Sequence, residues 1–508
     1  MFRRLLSVGG FTLLSRVTGF VRDICMAWIL GRGILSDAFI VAFLFPNYFR
    51  QIFGEGTINP AFLPRYATLH ARGEKTQAAL FADRVFSWQM SAQLILLLAA
   101  LVCMPWIVHV LAPGFNPEQM ALTIRLSRIT FPYLILTLVA VQLSAMLNAI
   151  EKFWAAAAWS NLQNLAMIAT LLLANWFPNA AYAAAWGVLA GGIAQLIFIL
   201  WAAAQHGIDL RIARPRWTPD VREFFKALGA VTFGSASVVI APFIDTVIAS
   251  LLPVGSRTAL YYADRINQLP LGVLGIAVGT VLLPAMSARL ALNDRAGSDS
   301  AQNRSAAISL LLTLPFAVVF LLIPDTIMRA IFAHGAFDAK AAALSATALA
   351  AYGVGLPAMA LTRIVQSTFY ARHDTMTPAR VTVTAILVNV GLKIVFVWGA
   401  HLGVAGIALG TSLGAWTNVG LLTWLGHRRS LLTVEPSFRR ALLPVLLAAL
   451  ATGVGAFLGV VLIRDFTAPA LRFHDEIMLL AAILSSGVAY GAVVLAFRRA
   501  LPLGKFAR

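Results

Sequence analysis

Long apolar runs separated by short polar segments recur from one end of the chain to the other. A run of about 20 apolar residues can cross a bilayer as an α-helix, and these runs lack the ten-residue alternation of an outer-membrane barrel. The pattern therefore predicts an all-α polytopic membrane protein with about 14 transmembrane helices. The predicted helices cover 7–30, 34–53, 85–111, 124–149, 155–176, 181–204, 224–252, 258–286, 305–332, 342–370, 378–398, 402–425, 440–463 and 476–497.

Composition supports the membrane class. The 508 residues are 60% hydrophobic and 12% charged, whereas soluble domains are about 25% charged. At the N-terminus, Arg3 and Arg4 precede an apolar run, but that run carries Arg16 and Arg22 and has no clear cleavage site of small residues. We expect a retained first helix rather than a cleaved signal peptide.

The basic residues of the loops predict the orientation in the membrane. With a cytoplasmic N-terminus and alternating loops, 25 of the 39 Lys and Arg residues fall on the cytoplasmic side and 5 on the outer side. This bias is the one that the positive-inside rule requires, and an even number of helices places both termini in the cytoplasm. Basic loops beside anionic lipid also explain the net charge of +18, so no nucleic-acid partner is expected.

An internal repeat organises the predicted helices. Phe115 aligns with Phe337 and Ala149 with Ala371 at a common offset of 222 residues. This offset pairs helix 1 with helix 7, so two six-helix lobes are expected to be related by a pseudo-two-fold axis along the membrane normal, a common transporter design. The predicted divisions are an N-lobe at 1–206, a cytoplasmic linker at 207–223, a C-lobe at 224–427, and two additional helices with a cytoplasmic tail at 428–508.

Charged residues inside the predicted helices are the strongest candidates for function. On insertion scales such a charge costs about 2.5–3.5 kcal/mol at the bilayer centre, so it persists mainly where it faces water or a partner. One interpretation is a cationic cavity that binds an anion, since the planar guanidinium can donate two hydrogen bonds to a phosphate. The other is a set of ion pairs that join helices. The candidates are Arg16, Arg22, Asp37, Arg50, Glu55, Asp264 and Arg265.

Asp245 and Lys393 form a separate case, in the middle of predicted helices 7 and 11. We hypothesise that they pair within the membrane, with the Lys393 ammonium in the place that a coupling cation could take. The same two residues are the candidates for an ion site.

Other chemistry has little support in the sequence. The eight histidines are scattered without the paired spacing of a metal site, and no Walker loop for ATP is present. We expect neither a metal nor a cofactor.

Two motif clusters resemble the MurJ (MviN) family. The first comprises SRVTGFVRD at 15–23, SDAF at 36–39, FPNYFR at 45–50 and FGEG at 53–56. The second comprises YYADR at 261–265, LGVLGIA at 271–277 and LLP at 282–284. The resemblance covers nearly the whole chain, including its length and the APGF loop at 112–115. The family belongs to the multidrug/oligosaccharidyl-lipid/polysaccharide exporter superfamily, and its fold implies the two lobes expected from the repeat.

The resemblance also implies a site and an activity. It makes all seven candidate residues counterparts of charged cavity residues in a flippase for lipid II, the undecaprenyl-diphosphate-linked peptidoglycan precursor. Two positions depart from family patterns: Gln51 stands where many members have a second basic residue, and Lys393 is a poor neighbour for the sodium that some members bind.

The expected function is therefore transport of lipid II across the bacterial inner membrane, with lipid II and membrane lipids as partners and the cell-wall synthesis machinery as a further candidate. Three alternatives remain open at this point. They are a flippase for another polyprenyl-linked glycan, a drug exporter of the same superfamily, and a membrane enzyme that acts on polyprenyl phosphates.

Overall fold

The computed structural model describes residues 2–50, 58–277, 282–466 and 473–502. Within these ranges the chain forms eighteen α-helices and no β-strand, which confirms the all-α prediction. The helices are α1 Phe2–Leu30, α2 Ile34–Phe49, α3 Ile58–Ala71, α4 Lys75–Leu111, α5 Pro117–Thr130, α6 Tyr133–Ala149, α7 Phe153–Leu172, α8 Ala180–Ala204, α9 Pro219–Ser250, α10 Ser256–Ala277, α11 Leu283–Ala291, α12 Arg295–Leu322, α13 Pro324–Phe332, α14 Ala339–Tyr370, α15 Met376–Ile394, α16 Gly403–Arg428, α17 Pro436–Phe466 and α18 His474–Ala496.

Eight helical segments of the described chain are long and apolar enough to cross a membrane. They correspond to α4, α5 with α6, α8, α12, α14, α15 with its following π-turn, α17 and α18. Two shorter apolar helices lie at Ile34–Phe49 and Val239–Ser250. The number of spans, about 14, stays a prediction, because charged residues lower the hydropathy of helices such as α1.

Two helices predicted as single elements are interrupted. The predicted helix 305–332 is wrong as one element, since α12 ends at Leu322 and α13 begins at Pro324. Proline favours the first position of a helix, where its missing N–H costs no hydrogen bond. The predicted helix 124–149 is likewise divided, because a turn at residues 131–132 separates α5 from α6.

The chain forms two compact units. The first comprises Met1–Thr258 with Gly335–Phe337, and the second comprises Ala259–His334 with Asp338–Arg508. In the first unit a large apolar core includes the stacked rings of Phe62 and Phe81, whose centroids are 5.4 Å apart. In the second, α14 packs against α12 and α16, and α17 packs against α12 and α18. The predicted lobe boundaries at 206 and 224 stay a prediction.

Close packing of α7 against α8 positions one side of the candidate site. Gly187 and Gly191 lie one turn apart on α8 and face α7. A Cβ atom at Gly187 would come within 2.9 Å of the Cα of Met167, and one at Gly191 within 2.8 Å of the Cα of Gln163. Small residues at this spacing allow helix backbones to approach closely in a membrane.

Candidate functional site

Arg22 is held by partners on α1 and α7. It lies on α1 with 9% of its surface exposed, beside Asp23 at 3%. Its Nη2 donates to Asp23 Oδ1 at 2.7 Å and its Nε donates to the same oxygen at 3.1 Å. Its Nη1 donates to Asn164 Oδ1 of α7 at 3.0 Å, and its Cζ lies 5.8 Å from the Phe43 ring centroid, within cation–π range. The guanidinium is therefore oriented from three sides.

A ladder of polar side chains continues from Arg22 along the α1–α7 interface. Asn164 Nδ2 donates to the Ser15 carbonyl at 3.2 Å and to Thr18 Oγ1 at 3.1 Å. Thr18 Oγ1 in turn donates to Asn161 Oδ1 at 3.3 Å, and Ser160 Oγ donates to Ser15 Oγ at 3.1 Å. Because hydrocarbon offers no competing water, these bonds join the two helices and satisfy polar groups that would otherwise be costly.

Arg16 and Arg50 lie on the same unit in more open positions. Arg16 is exposed on α1, and α1 continues through Gly19 without a break. Arg50 follows the last residue of α2 and is half-buried, and its Nε donates to Asn47 Oδ1 at 3.0 Å. Arg16 is exposed and Arg22 is buried, so the two guanidinium groups occupy different environments. This agrees with their spacing of six residues, which places them about 120° apart around a helix.

Asp37 caps the start of another helix. Its Oδ2 accepts from the Gly255 N–H at 2.6 Å, and its Oδ1 accepts from the Thr258 N–H at 2.8 Å and the Thr258 hydroxyl at 2.6 Å. The two N–H groups lie at the N-terminus of α10, where the first backbone N–H groups have no acceptor within the helix. A carboxylate at this end is also favoured by the helix dipole. Asp37 is 2% exposed. Its three hydrogen bonds make it a cap of α10 that is supplied from α2. Its predicted place in a binding cavity stays a prediction.

Asp264 and Arg265 lie next to each other on α10 in the second unit, and both are half-buried. Asp264 Oδ2 accepts from Gln268 Nε2, one turn later, at 2.5 Å. The Arg265 Cζ lies 4.6 Å from the ring centroid of Tyr261, one turn earlier. The Asp264 side chain therefore points towards the C-terminal end of the helix and the Arg265 side chain towards its N-terminal end. Both charged groups remain partly accessible.

The remaining candidates are placed as follows. Glu55 lies outside the described residues. Asp245 is half-buried on α9 of the first unit, whereas Lys393 is fully buried on α15 of the second unit. Lys393 packs on α16, where a Cβ atom at Gly410 would come within 2.5 Å of the lysine Cγ. The pairing of Asp245 with Lys393 stays a prediction.

Sequence reasoning missed the neutral polar residues that hold the charged ones. Asn161 and Asn164 lie within an apolar run, and their spacing of three places them on one face of α7. That spacing of two amides within an apolar run is the signal in the sequence that could have identified them. Thr258 carried no signal, because its role depends on a carboxylate 221 residues away.

The site offers hydrogen-bond donors and positive charge rather than metal ligands. In the described ranges, no group of three or more His, Cys, Asp or Glu side chains could hold a metal ion. Arg16, Arg22 and Arg50 belong to one unit and Arg265 to the other. Guanidinium groups held within apolar helices can bind a phosphate or a carboxylate through paired N–H donors.

Comparison with known proteins identifies related sequences. The sequence model of the family described as lipid II flippase MurJ matches residues 26–491. A probable lipid II flippase MurJ from Rhizobium tropici is 38% identical over 462 residues, which cover 89% of this chain and 86% of that protein. The lipid II flippase MurJ of Burkholderia cenocepacia is 31% identical over 495 residues, 95% of each chain.

Solved structures show the same fold. A lipid II flippase MurJ in an inward closed conformation aligns with a TM-score of 0.78 at 24% identity, covering 97% of this chain and 99% of that chain. An inward-facing multidrug resistance MATE family transporter of the MOP superfamily aligns with a TM-score of 0.69 at 16% identity, covering 84% and 98%. At these identities the likeness concerns the fold.

Proposed function

This chain belongs to the lipid II flippase MurJ family, and we propose that it moves lipid II from the cytoplasmic to the periplasmic leaflet of the bacterial inner membrane. The protein is a transporter and not an enzyme. Its substrate crosses the membrane without covalent change, for use in peptidoglycan synthesis outside the cell.

The observation that carries this proposal at the level of residues is the placement of Arg22. Its guanidinium lies in an apolar helix, oriented by Asp23 and by the neutral amide of Asn164. Asp23 lowers the cost of keeping this charge within an apolar helix. A planar guanidinium held at a fixed angle can donate two hydrogen bonds to a phosphate group at once, at little further entropic cost.

The other basic residues complete an anion site in this proposal. Arg16, Arg50 and Arg265 add positive charge to the proposed site. Asp23 holds Arg22 in place, and Asp264 and Glu55 are part of the same proposed cavity. Arginines outnumber the acids available to them because Asp37 is engaged at the start of α10, so the expected ligand is anionic.

Transport then follows from alternating access. We expect the cavity to open to the cytoplasm, admit the diphosphate and the sugar–peptide head group, and release them outside after one lobe rocks against the other. The polyprenyl tail remains in the lipid throughout. Both termini are placed in the cytoplasm by the loop charges, and partners in the cell-wall synthesis machinery are part of the same proposal.

A flippase for another polyprenyl-linked glycan would use the same phosphate chemistry and is the second candidate. A drug exporter is less consistent with the residues, because cationic drugs favour acidic cavities and this chain supplies arginines.

The decisive experiment is depletion of the protein in cells without another flippase, followed by an assay of lipid II accessible from the periplasm. Loss of accessible lipid II, restored by the wild-type chain and not by Arg22→Ala, is the expected result. Continued export after depletion contradicts the proposal. Normal lipid II export with loss of another surface glycan would favour the second candidate.

A further inference from the structure

A basic cavity in the second unit is lined by none of the residues assigned to the substrate. A cavity of about 550 Å³ opens where α11, α14 and α16 end, among the loops that follow them. Its polar lining includes Arg295, Arg372 and Arg429, and its apolar lining includes Leu290 and Leu431. The volume is within the range of ligand pockets, about 300–1,000 Å³.

Three tight reversals of the chain bring the arginines together. Asn293, His373 and Ser430 line the cavity, and each has a positive φ, between 53° and 61°. Each lies one or two residues beyond the C-cap of a helix, and the next helix begins a few residues later. Helix C-termini and N-termini therefore meet at this face, and their opposite partial charges offset each other. The arginine side chains therefore make the electrostatic potential of the cavity positive.

Acidic residues lie close to two of these arginines. Asp374 Oδ2 lies 3.1 Å from Arg429 Nη1, and Asp374 Oδ1 accepts from the Thr377 N–H in the first turn of α15. Asp299 lies 3.8 Å from Arg372 Nη2, and its other oxygen accepts from the Thr433 hydroxyl. A third acid, Asp294, lies in sequence between Asn293 and Arg295 and accepts from the Gly297 N–H. None of the three acids lines the cavity, whereas Arg295, Arg372 and Arg429 do.

The Arg372 guanidinium responds to this environment. Burial lowers the pKa of Arg372 below its ordinary value, Asp299 opposes the change, and the positive charge of Arg295 lowers the pKa further. Two arginines that repel each other across a shared cavity gain free energy when an anion binds between them.

We propose that this cavity binds a phosphate group, supplied by the headgroup of an anionic phospholipid. The forked donors of three arginines match phosphate oxygens, and the cavity lies at the ends of candidate spans α12, α14 and α15. The predicted topology places this face in the cytoplasm, where basic pockets between helices bind anionic headgroups.

Apolar side chains around the cavity favour a lipid over a soluble phosphate. Leu292 and Tyr370 are next in sequence to lining residues and are 80% and 40% exposed, and Met376, at the start of α15, is 59% exposed. A soluble ligand would leave these groups in water, whereas a lipid glycerol backbone and acyl chains would cover them.

The experiment uses the full-length protein, purified in a neutral detergent and titrated with dioleoyl phosphatidylglycerol or dioleoyl phosphatidylcholine. Bound lipid is counted by native mass spectrometry, and inorganic phosphate is titrated separately. Arg295→Gln and Arg372→Gln remove one lining charge each. Arg380→Gln, on exposed α15 surface outside the cavity lining, is the matched control.

We expect each lining variant to weaken phosphatidylglycerol binding about tenfold, since a hydrogen bond to a charged group contributes roughly that factor. The control should change it by less than about twofold, and phosphatidylcholine should bind weakly to all variants. Arg295 is exposed, so its substitution tests the site even if Arg372→Gln fails to fold.

Equal phosphatidylglycerol and phosphate binding by the wild type and both lining variants overturns the proposal, as does equally tight binding of phosphatidylcholine. Phosphate binding that depends on Arg295 and Arg372, without a matching dependence for phosphatidylglycerol, supports the phosphate site and overturns the lipid as its source.

Discussion

Arg22 on α1 and Asn164 on α7 are joined by a hydrogen bond of 3.0 Å between Nη1 and Oδ1. Asn164 is a neutral partner, so it orients the guanidinium without cancelling its charge. Its amide nitrogen simultaneously donates to the Ser15 carbonyl and the Thr18 hydroxyl. A single side chain thus connects the orientation of Arg22 to the packing of α1 on α7.

Asn164→Ala should reduce lipid II transport about tenfold while the protein still folds. The substitution removes the amide that orients Arg22, and a lost hydrogen bond to a charged group costs about 1.5–3 kcal/mol. The measurement is lipid II accessibility from the periplasm, with expression level followed in parallel. Asn161→Ala is the matched control, because Asn161 bonds to Thr18 rather than to Arg22. An equal loss in both variants would show that helix packing, not orientation of Arg22, is responsible.

Asp37→Asn should destabilise the protein by about 1–2 kcal/mol, the usual contribution of a helix cap with its charge. Asparagine keeps one acceptor oxygen and loses the negative charge at the start of α10. Thr258→Val should cost less, because it removes the hydroxyl bond and leaves both N–H bonds to Asp37. The measurement is thermal unfolding in detergent. A larger loss for Thr258→Val than for Asp37→Asn would contradict the capping role.

Gly410→Ala should be destabilising by about 1–3 kcal/mol, the typical cost of overpacking. The new Cβ would come within 2.5 Å of Lys393 Cγ and 3.1 Å of its backbone nitrogen, so α15 and α16 must move apart. Gly420→Ala on the same helix is the control, because no atom outside the local backbone lies within 4 Å of the new methyl. Alanine there should be neutral or stabilising. Similar unfolding temperatures for the two variants would argue against tight packing at Lys393.

Acid should weaken the loop that joins α14 to α15. Partial burial acts to raise the pKa of Asp374, but hydrogen bonds from Thr377 and the charge of Arg429 outweigh it, so the folded-state pKa is lowered. The stabilisation is therefore present above the ordinary carboxyl value near pH 3.9 and is lost as the pH falls through the lower folded-state value.

The Asp374→Asn variant tests this pH dependence. Its unfolding temperature in detergent should be lower than that of the wild type at pH 7, and the difference should shrink as the pH falls below about 4. A difference that stays constant over this range would show that the Asp374 charge does not stabilise the loop.

Much of the fold was predictable because a helix that crosses a bilayer needs about 20 predominantly apolar residues in a row. Apolar runs predicted an all-α membrane protein, and the motifs at 15–23 and 261–265 predicted the family; both are confirmed. Helix ends were less predictable. Pro324 begins a new helix within one apolar run, and hydropathy does not distinguish a continuous helix from two that meet end to end.

The sequence by itself determined the membrane class, the family and the set of charged residues in apolar helices, because each depends on composition or on local order along the chain. Only the tertiary structure decided which partners those charges contact. Arg22 is held by an amide 142 residues away, and Asp37 caps a helix 218 residues away. Such partners depend on which helix faces pack together, and apolar helices of similar composition do not encode that choice locally.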